Sequence, residues 1–518
     1  MRWNNPIAFG AATLLLLAGT AHAQDPLALA RAHRNARGWD ILREFAEFLA
    51  LPNVASDSVG IRKNAEWICN AFQKRGVALS LLELPGAPPL IFGRLDSPGA
   101  SRTLGIYAHY DGQPAGEGWL RPPWFPTLYS GPPESEASLQ LAPELSLGKQ
   151  LPQLSQAATI DPEWRLMARS SGDDKAPIIA LLAALDALGD TPRTSNVVFF
   201  FEGEEEAGSP HLGQFIDRYG DRIAVDAWLM CDGPVHSTRR PELAFGVRGI
   251  TGLEMTVYGP NHGLHSGHYG NWAPNPAMIL ARLLASMKDA NGRVLVHGFY
   301  DTMEPWGKTE KNALALVPQN DRALLNEMGL AESEGHRSLD AALLLPSLNI
   351  RGLRSGDVGN DARNVIPPTA TASLEMRLVK GNDPEKMLDL IEAHLKKQGA
   401  TIVREEPDSS LRRAHPLLVK VVRQSGYPAV RTSMDDPIVP FLKDAASRAS
   451  GQEVVLLPTL GGSLPLYLFT RTWKKPLVIV PIANHDDNQH AANENLRLAN
   501  LWYGIDLYAL LLTLPPSR

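Results

Sequence analysis

Apolar runs of strand length alternate with stretches of helical length through the first half of the chain. Residues 57–75 carry apolar positions at helical spacing, LGIYAHYD (Leu104–Asp111) is a short apolar strand, and APIIALLAALDALGD after Lys175 is helical with Gly189 as its stop. SNVVFFFEG and DAWLMCDG are two further strands of the buried type. Strand and helix in turn imply a mostly parallel sheet with helices on both faces, the doubly wound α/β class.

From Phe245 to Val379 the texture changes. GLEMTVYG alternates apolar and polar positions, NPAMILARLLASMKD is a helix opened by Asn275 and Pro276, and ASLEMRLV alternates again. DPEKMLDLIEAHLKKQG has Asp383 as N-cap, Pro384 at the first helical position and Gly399 at its close. Helices beside alternating strands predict an α+β domain inserted into the first. After about residue 410 the α/β texture returns, in DDPIVPFLKDAASRA and PLVIVPIAN. The expected organisation is a main domain over 24–242 and 401–518, interrupted by a second domain over 243–400. Residues 125–162 show no clear periodicity and are rich in Pro, Ser, Leu and Gly, which marks an atypical insertion.

Charge and the N-terminus narrow the function classes. A net charge of -6, with no long Lys/Arg block, gives no basis for nucleic-acid or anionic-membrane binding, and small-molecule or peptide substrates fit better. Residues 1–23 combine Arg2, a short apolar stretch at Ala11–Gly19 and Ala21-His22-Ala23, the pattern of a cleaved export signal. The expected mature chain begins near Gln24, in the periplasm or outside the cell, and has no membrane span. The 2 cysteines, Cys69 and Cys231, exclude a cysteine-based zinc site and read as buried free thiols rather than a disulfide.

Chemistry concentrates where the apolar runs end. FEGEEEAGS places Glu204, Glu205 and Glu206 side by side directly after a buried strand, and adjacent carboxylates repel unless a cation or a proton-transfer task stabilises them. Other strand ends supply His109 and Asp111, Asp173 and Asp174, Asp232, and His490. Carboxyl ends of strands are where doubly wound sheets place their sites. Imidazoles and carboxylates without thiolates suit Zn²⁺, with Mn²⁺ and Co²⁺ as alternatives. The set exceeds what one tetrahedral ion can use with a position left for water, so two divalent ions are the economical reading.

HYDGQPAGEGW, SSGDDKAP, FEGEEEAGS, CDG, GLHSGHYG, EMRLVK, GGSLP and HAANEN, in this order between about Leu42 and Leu512, resemble the co-catalytic zinc metallopeptidases of clan MH. That family includes carnosinases and other dipeptidases, glutamate carboxypeptidase, aminoacylase and succinyl-diaminopimelate desuccinylase, and the carnosinase-like dipeptidases resemble this chain most. The resemblance implies a ferredoxin-like inserted domain that serves as dimerisation and lid domain, and hence a homodimer. It makes His109 and Asp232 ligands of one metal, Glu206 and His490 ligands of the other, and Asp173 the bridge. Asp111 orients His109, and Glu205 is the general base that takes a proton from the metal-bridging water. His265 reaches the partner's substrate carbonyl, and Arg377, Gly462 and Ser463 anchor the substrate carboxylate.

Within the site, His490 has a rival in His485, and the DD-x-x-H pattern favours His490. Glu205 and Glu206 divide their tasks because neighbours on an extended stretch point oppositely, and Glu204 reads as a solvated bystander. Ala168-Arg169-Ser170 stands where relatives carry G-R-G. The implied activity is hydrolysis of dipeptides or short peptides with a free C-terminal carboxylate. An N-acyl amino acid hydrolase using the same groups is the alternative, and an inactive peptide-binding homologue a more distant one.

Overall fold

The computed structural model describes residue 1, residues 25–132 and residues 159–515, so the expected export signal and most of the 125–162 insertion lie outside the described residues. The central sheet has 8 strands in the order Leu79–Leu82, Leu90–Leu95, Ser195–Glu202, Arg102–His109, Ala227–Met230, Leu477–Ile479, Glu242–Ala244 and Val455–Leu457. From Ser195–Glu202 to Leu477–Ile479 every pairing is parallel, while the pairings at the Leu79–Leu82 edge are antiparallel. This is the doubly wound arrangement that the alternating texture implies.

Burial follows from composition. Helices Lys175–Leu188 and Leu498–Thr513 are apolar on nearly all sides, and each packs between the sheet and further helices. The one carboxylate on the latter, Asp506, takes Arg31 at 3.0 Å and Arg34 at 3.2 Å from helix Pro26–Leu49, tying the first helix to the last. On the opposite face Phe200, Trp228, Phe469 and Trp473 pack edge to face or tilted, with Trp228 and Phe469 centroids 5.0 Å apart. Cys69 and Cys231 are free, as expected.

The second unit is a 5-stranded sheet in the order Ser347–Arg354, Thr369–Leu378, Gly249–Tyr258, Leu418–Tyr427, Thr401–Val403. Strand Thr369–Leu378 alternates strictly, with Ala370, Ala372, Leu374, Met376 and Leu378 buried under helices Pro276–Ala285 and Pro384–Lys397. Both helices start as read, with the Asn275 side-chain Oδ1 accepting from the Ala277 N–H and the Asp383 Oδ1 from the Lys386 N–H. The boundary at residue 400 needs moving. Thr401–Val403 and Leu418–Tyr427 belong to this sheet, because LVKVV has one apolar side to bury and buries it with Gly249–Tyr258.

One carboxylate of the central sheet has no ion-pair or hydrogen-bond partner for its side chain among the described residues. Glu242 shares a face with Ala244 in an interior strand and is 3 % exposed. Burial, with a smaller contribution from Asp340, pushes its carboxyl up from 4.5 to about 8. A raised acid leaves the fold unaffected at low pH and destabilises it once the unfolded chain can ionise. Stability therefore declines as pH rises from about 4.5 to about 8, by up to roughly 5 kcal/mol if this group acted alone. Glu242→Gln is expected to raise the urea midpoint at pH 8.5 and to leave it nearly unchanged at pH 4.5. An equal shift at both values would assign the effect to packing instead.

Candidate metal centre

Strand Arg102–His109 pairs in parallel with both Ser195–Glu202 and Ala227–Met230, so the residues just past three adjacent strands emerge at one edge of the sheet. His109 ends the first strand, Glu205 and Glu206 follow the second, and Asp232 follows the third. Asp173 arrives from the segment before helix Lys175–Leu188, and His490 from the loop after Leu477–Ile479. These six form two groups in which the potential ligand atoms lie within 4.8 Å of one another: His109, Glu205 and Asp232, and Asp173, Glu206 and His490. Asp173 joins the groups, since Oδ1 lies 2.8 Å from His109 Nε2 and Oδ2 lies 3.1 Å from His490 Nε2. His485 is outside both, with Asp486 at 3.9 Å as its ionic neighbour.

The ligands are held by named neighbours. His109 and Asp111 are fully buried, and His109 Nδ1 is 3.2 Å from the Asp111 carbonyl and 3.4 Å from its carboxylate, which leaves Nε2 directed at the cluster. The same Asp111 carboxylate accepts the backbone N–H groups of Glu205 at 3.1 Å and Glu206 at 3.0 Å. One side chain thus fixes both an imidazole and the turn that carries two glutamates. Gln113 donates to Glu206 and Gln489 to Asp173, each at 2.8 Å.

That turn corrects one reading. Glu205–Ala207 is a 3₁₀ turn, so successive side chains diverge by about 120° rather than alternate across a strand. Gly208 closes it with φ 86, while Gly203 serves space: a Cβ there would sit 2.5 Å from the Tyr110 hydroxyl. Glu204 is not solvated. It is 4 % exposed and pairs with His211 Nδ1 at 2.8 Å, with the His211 backbone N–H also at 2.8 Å.

Glu494 escaped the sequence reading as a residue with a task of its own. It is 1 % exposed, and its carboxylate accepts four hydrogen bonds: Gly172 N and Asp173 N at 3.0 Å on one oxygen, Ser170 N and Arg169 Nη1 at 2.9 Å on the other. Ser170, where relatives carry glycine, has φ 64, and its hydroxyl takes Asn53 at 2.9 Å. The sequence signal for Glu494 was an acid shortly after His490, but its partners lie more than three hundred residues away.

Electrostatics show what the cluster lacks. Burial and then the neighbouring Asp173 push Asp232 up to about 7, and burial with Asp232 and Asp173 pushes Glu205 well up against the opposing His109 charge. Hydrogen bonds that His490 donates to Asp173 and Glu206 hold it at about 10, while burial alone would lower it. Buried carboxylates that ionise only by recruiting imidazolium partners are short of positive charge, and two divalent cations would supply it. The donor set of imidazole nitrogens and carboxylate oxygens fits that role.

The other predicted residues fall into two places. Arg377 Nη1 donates to Ser463 Oγ at 2.7 Å, and Tyr427 donates to the Ser463 carbonyl at 2.9 Å. Arg377 also pairs with Glu375 at 3.1 Å on its own strand. Gly462 precedes Ser463 with open space around its α-carbon, and its carbonyl accepts from Arg248 at 3.0 Å. Burial and then the Glu205 charge raise Tyr427 to about 12, so this anchor group and the carboxylate cluster share one field. His265 is elsewhere. It is exposed on the second unit, pairs in register with Val365, and contacts Gly267 and His268 rather than the cluster.

Comparison with known proteins agrees with this geometry. Residues 245–402 match the peptidase dimerisation domain of the M20 family. The chain is 25% identical over 497 residues to a Cys-Gly metallodipeptidase of Schizosaccharomyces pombe, covering 90% of this chain and 94% of the relative. It is 26% identical over 434 residues to the Beta-Ala-His dipeptidase of Homo sapiens, covering 82% and 76%. An M20 family metallo-carboxypeptidase from Sulfolobus solfataricus superposes with a TM-score of 0.72 at 26% identity, over 92% of this chain and 99% of that one. With its ordered motifs, its match to the dimerisation domain and its two-part fold, this chain is similar to M20 metallopeptidases along most of its length, which supports a peptidase hydrolase.

Proposed function

We propose that this chain is an exported two-metal peptidase acting on dipeptides or short peptides with a free C-terminal carboxylate. The observation that carries the reading is Asp173, whose two oxygens face the two imidazoles of otherwise separate ligand groups. His109, Asp232 and Asp173 would hold one ion, and Glu206, His490 and Asp173 the other, with Zn²⁺ ahead of Mn²⁺ and Co²⁺. Bound there, the ions supply Lewis acidity for the scissile carbonyl and make water acidic enough to attack at neutral pH.

The chain's own groups supply the rest. Glu205, set in this centre beside His109 and Asp232, would accept a proton from the attacking water and deliver it to the departing amine. Asp111 keeps Glu205 and His109 in mutual register through one oxygen, Oδ1, which accepts the Glu205 N–H and faces His109 Nδ1. Arg377 and the Ser463 turn receive the substrate carboxylate, the guanidinium fork being matched to two oxygens. Dipeptidase names among the relatives support this substrate class.

A homodimer supports the reading of His265. The dimerisation-domain match covers it, and its exposed position leaves it available to a second copy. The edge strand Ser347–Arg354 exposes Ile350 and Leu353, as a surface awaiting a partner would. There His265 would stabilise the oxyanion of the partner's substrate. Export rests on the pattern of residues 1–23 alone, and a mature N-terminus at Gln24 is its expected signature.

Metal-loaded enzyme is expected to hydrolyse members of a dipeptide panel and to bind two ions per chain by elemental analysis. Glu205→Gln should lower kcat by roughly 10²–10⁴-fold while keeping both ions. Activity confined to N-acetyl amino acids would replace the peptidase reading with a deacylase, and undiminished turnover in the variant would remove Glu205 from its role. Glu494→Gln, which keeps the shape and weakens the fourfold acceptor, should reduce metal affinity by about 10–100-fold with the fold intact by circular dichroism. Unchanged affinity would mean that the Asp173 segment holds its own position.

A further inference from the structure

A second polar cavity lies apart from the ligand cluster. It has a volume of about 390 Å³ and is lined by Arg31, Arg34, Arg239 and Arg497 against two carboxylates, Glu163 and Asp506. None of the six candidate metal ligands lines it. Asp506 is committed to Arg31 at 3.0 Å and Arg34 at 3.2 Å, and Glu163 to Arg239 at 3.0 Å.

Arg497 is the group left short. Its side chain is 4 % exposed, yet Glu163 stands 3.7 Å away, beyond hydrogen-bond range, and is itself 54 % exposed. Its Nε donates to Asn500 at 2.9 Å, and its two terminal nitrogens have no hydrogen-bond partner among the described residues. Burial lowers its pKa, Arg239 adds to that effect, and Glu163 offsets it only in part. The hydroxyl of Tyr503, which also lines the cavity, is buried without a partner among the described residues. A buried guanidinium with free donors, cationic neighbours and an unsatisfied hydroxyl lining the same cavity is costly unless an anion completes it.

We infer that this cavity is a binding site for a small oxyanion, with Arg497 and Arg239 as its principal donors and the Tyr503 hydroxyl as a third. Arg31 and Arg34, paired to Asp506, contribute field rather than contacts. The ligand chemistry is that of two or more negative oxygens, matched by guanidinium forks. Its source is either a tetrahedral oxyanion or a carboxylate. The inference does not depend on the peptidase reading, since it rests on residues outside the metal centre.

The test is calorimetric titration of the metal-loaded full chain with sodium sulfate and, separately, sodium succinate, at ionic strength held constant with sodium chloride. One saturable site per chain is expected, weakened at least about tenfold by Arg239→Ala and by Arg497→Gln, and tightened by Glu163→Gln, which removes the competing charge. Arg239 is half exposed, so its replacement keeps the test valid if Arg497→Gln fails to fold. Tighter binding of sulfate assigns the tetrahedral class, and tighter binding of succinate the carboxylate class. The inference is overturned if neither probe saturates, if chloride competes equally, or if Arg239→Ala leaves the isotherm unchanged, which would place the binding at the metal centre.

Discussion

Mutual repulsion among buried carboxylates is the constraint around which the main domain is arranged. Glu205, Glu206, Asp173 and Asp232 converge where the parallel strands end, and burial makes their charges harder to screen than on a surface. Such a cluster persists only if its backbone is held from outside, because the side chains themselves push apart. Asp111 and Glu494 do this at two separate segments. Asp111 grips the Glu205–Glu206 turn and His109, and Glu494 grips the segment leading into Asp173. Each uses both oxygens as acceptors, so neither adds an unsatisfied group to the region.

The second unit adds a different chemistry to the same field. Its strand Thr369–Leu378 turns apolar residues to its helices and Glu375 and Arg377 to the other side, where Arg377 meets Ser463 of the main chain domain. Arg248, at the start of the unit, donates to Leu345 and Ser347, so the entry to the sheet is braced by its own edge. A carboxylate-binding group is thereby carried on one unit and the carboxylate cluster on the other. The pair separates charges that would neutralise each other if they met.

Much of the fold was legible because burial and periodicity are local. The fully apolar helix after Lys175 and the parallel strands around it leave a pattern in any short window, and Gly189 and Gly399 mark stops through their positive φ values of 48 and 89. The end of the inserted domain was not legible in the same way. An alternating strand such as Leu418–Tyr427 reads alike in either sheet, and its pairing with Gly249–Tyr258 is a long-range fact. Glu204 failed for a related reason: a glutamate in a run of glutamates looks solvated until His211, seven residues on, turns back to pair with it.

The sequence by itself determined the identities of the candidate ligands, their order along the chain and the two-part architecture, since each depends on residue type at a strand end or on local periodicity. Tertiary structure alone decided how they combine. It set Asp173 between two imidazoles, made the glutamate run a 3₁₀ turn, and gave Glu494 its four partners. It also gathered four arginines from three distant segments around one cavity. The physical reason is range: backbone preference acts over a few residues, whereas hydrogen bonds and charge act between whatever the packed chain brings within a few ångströms.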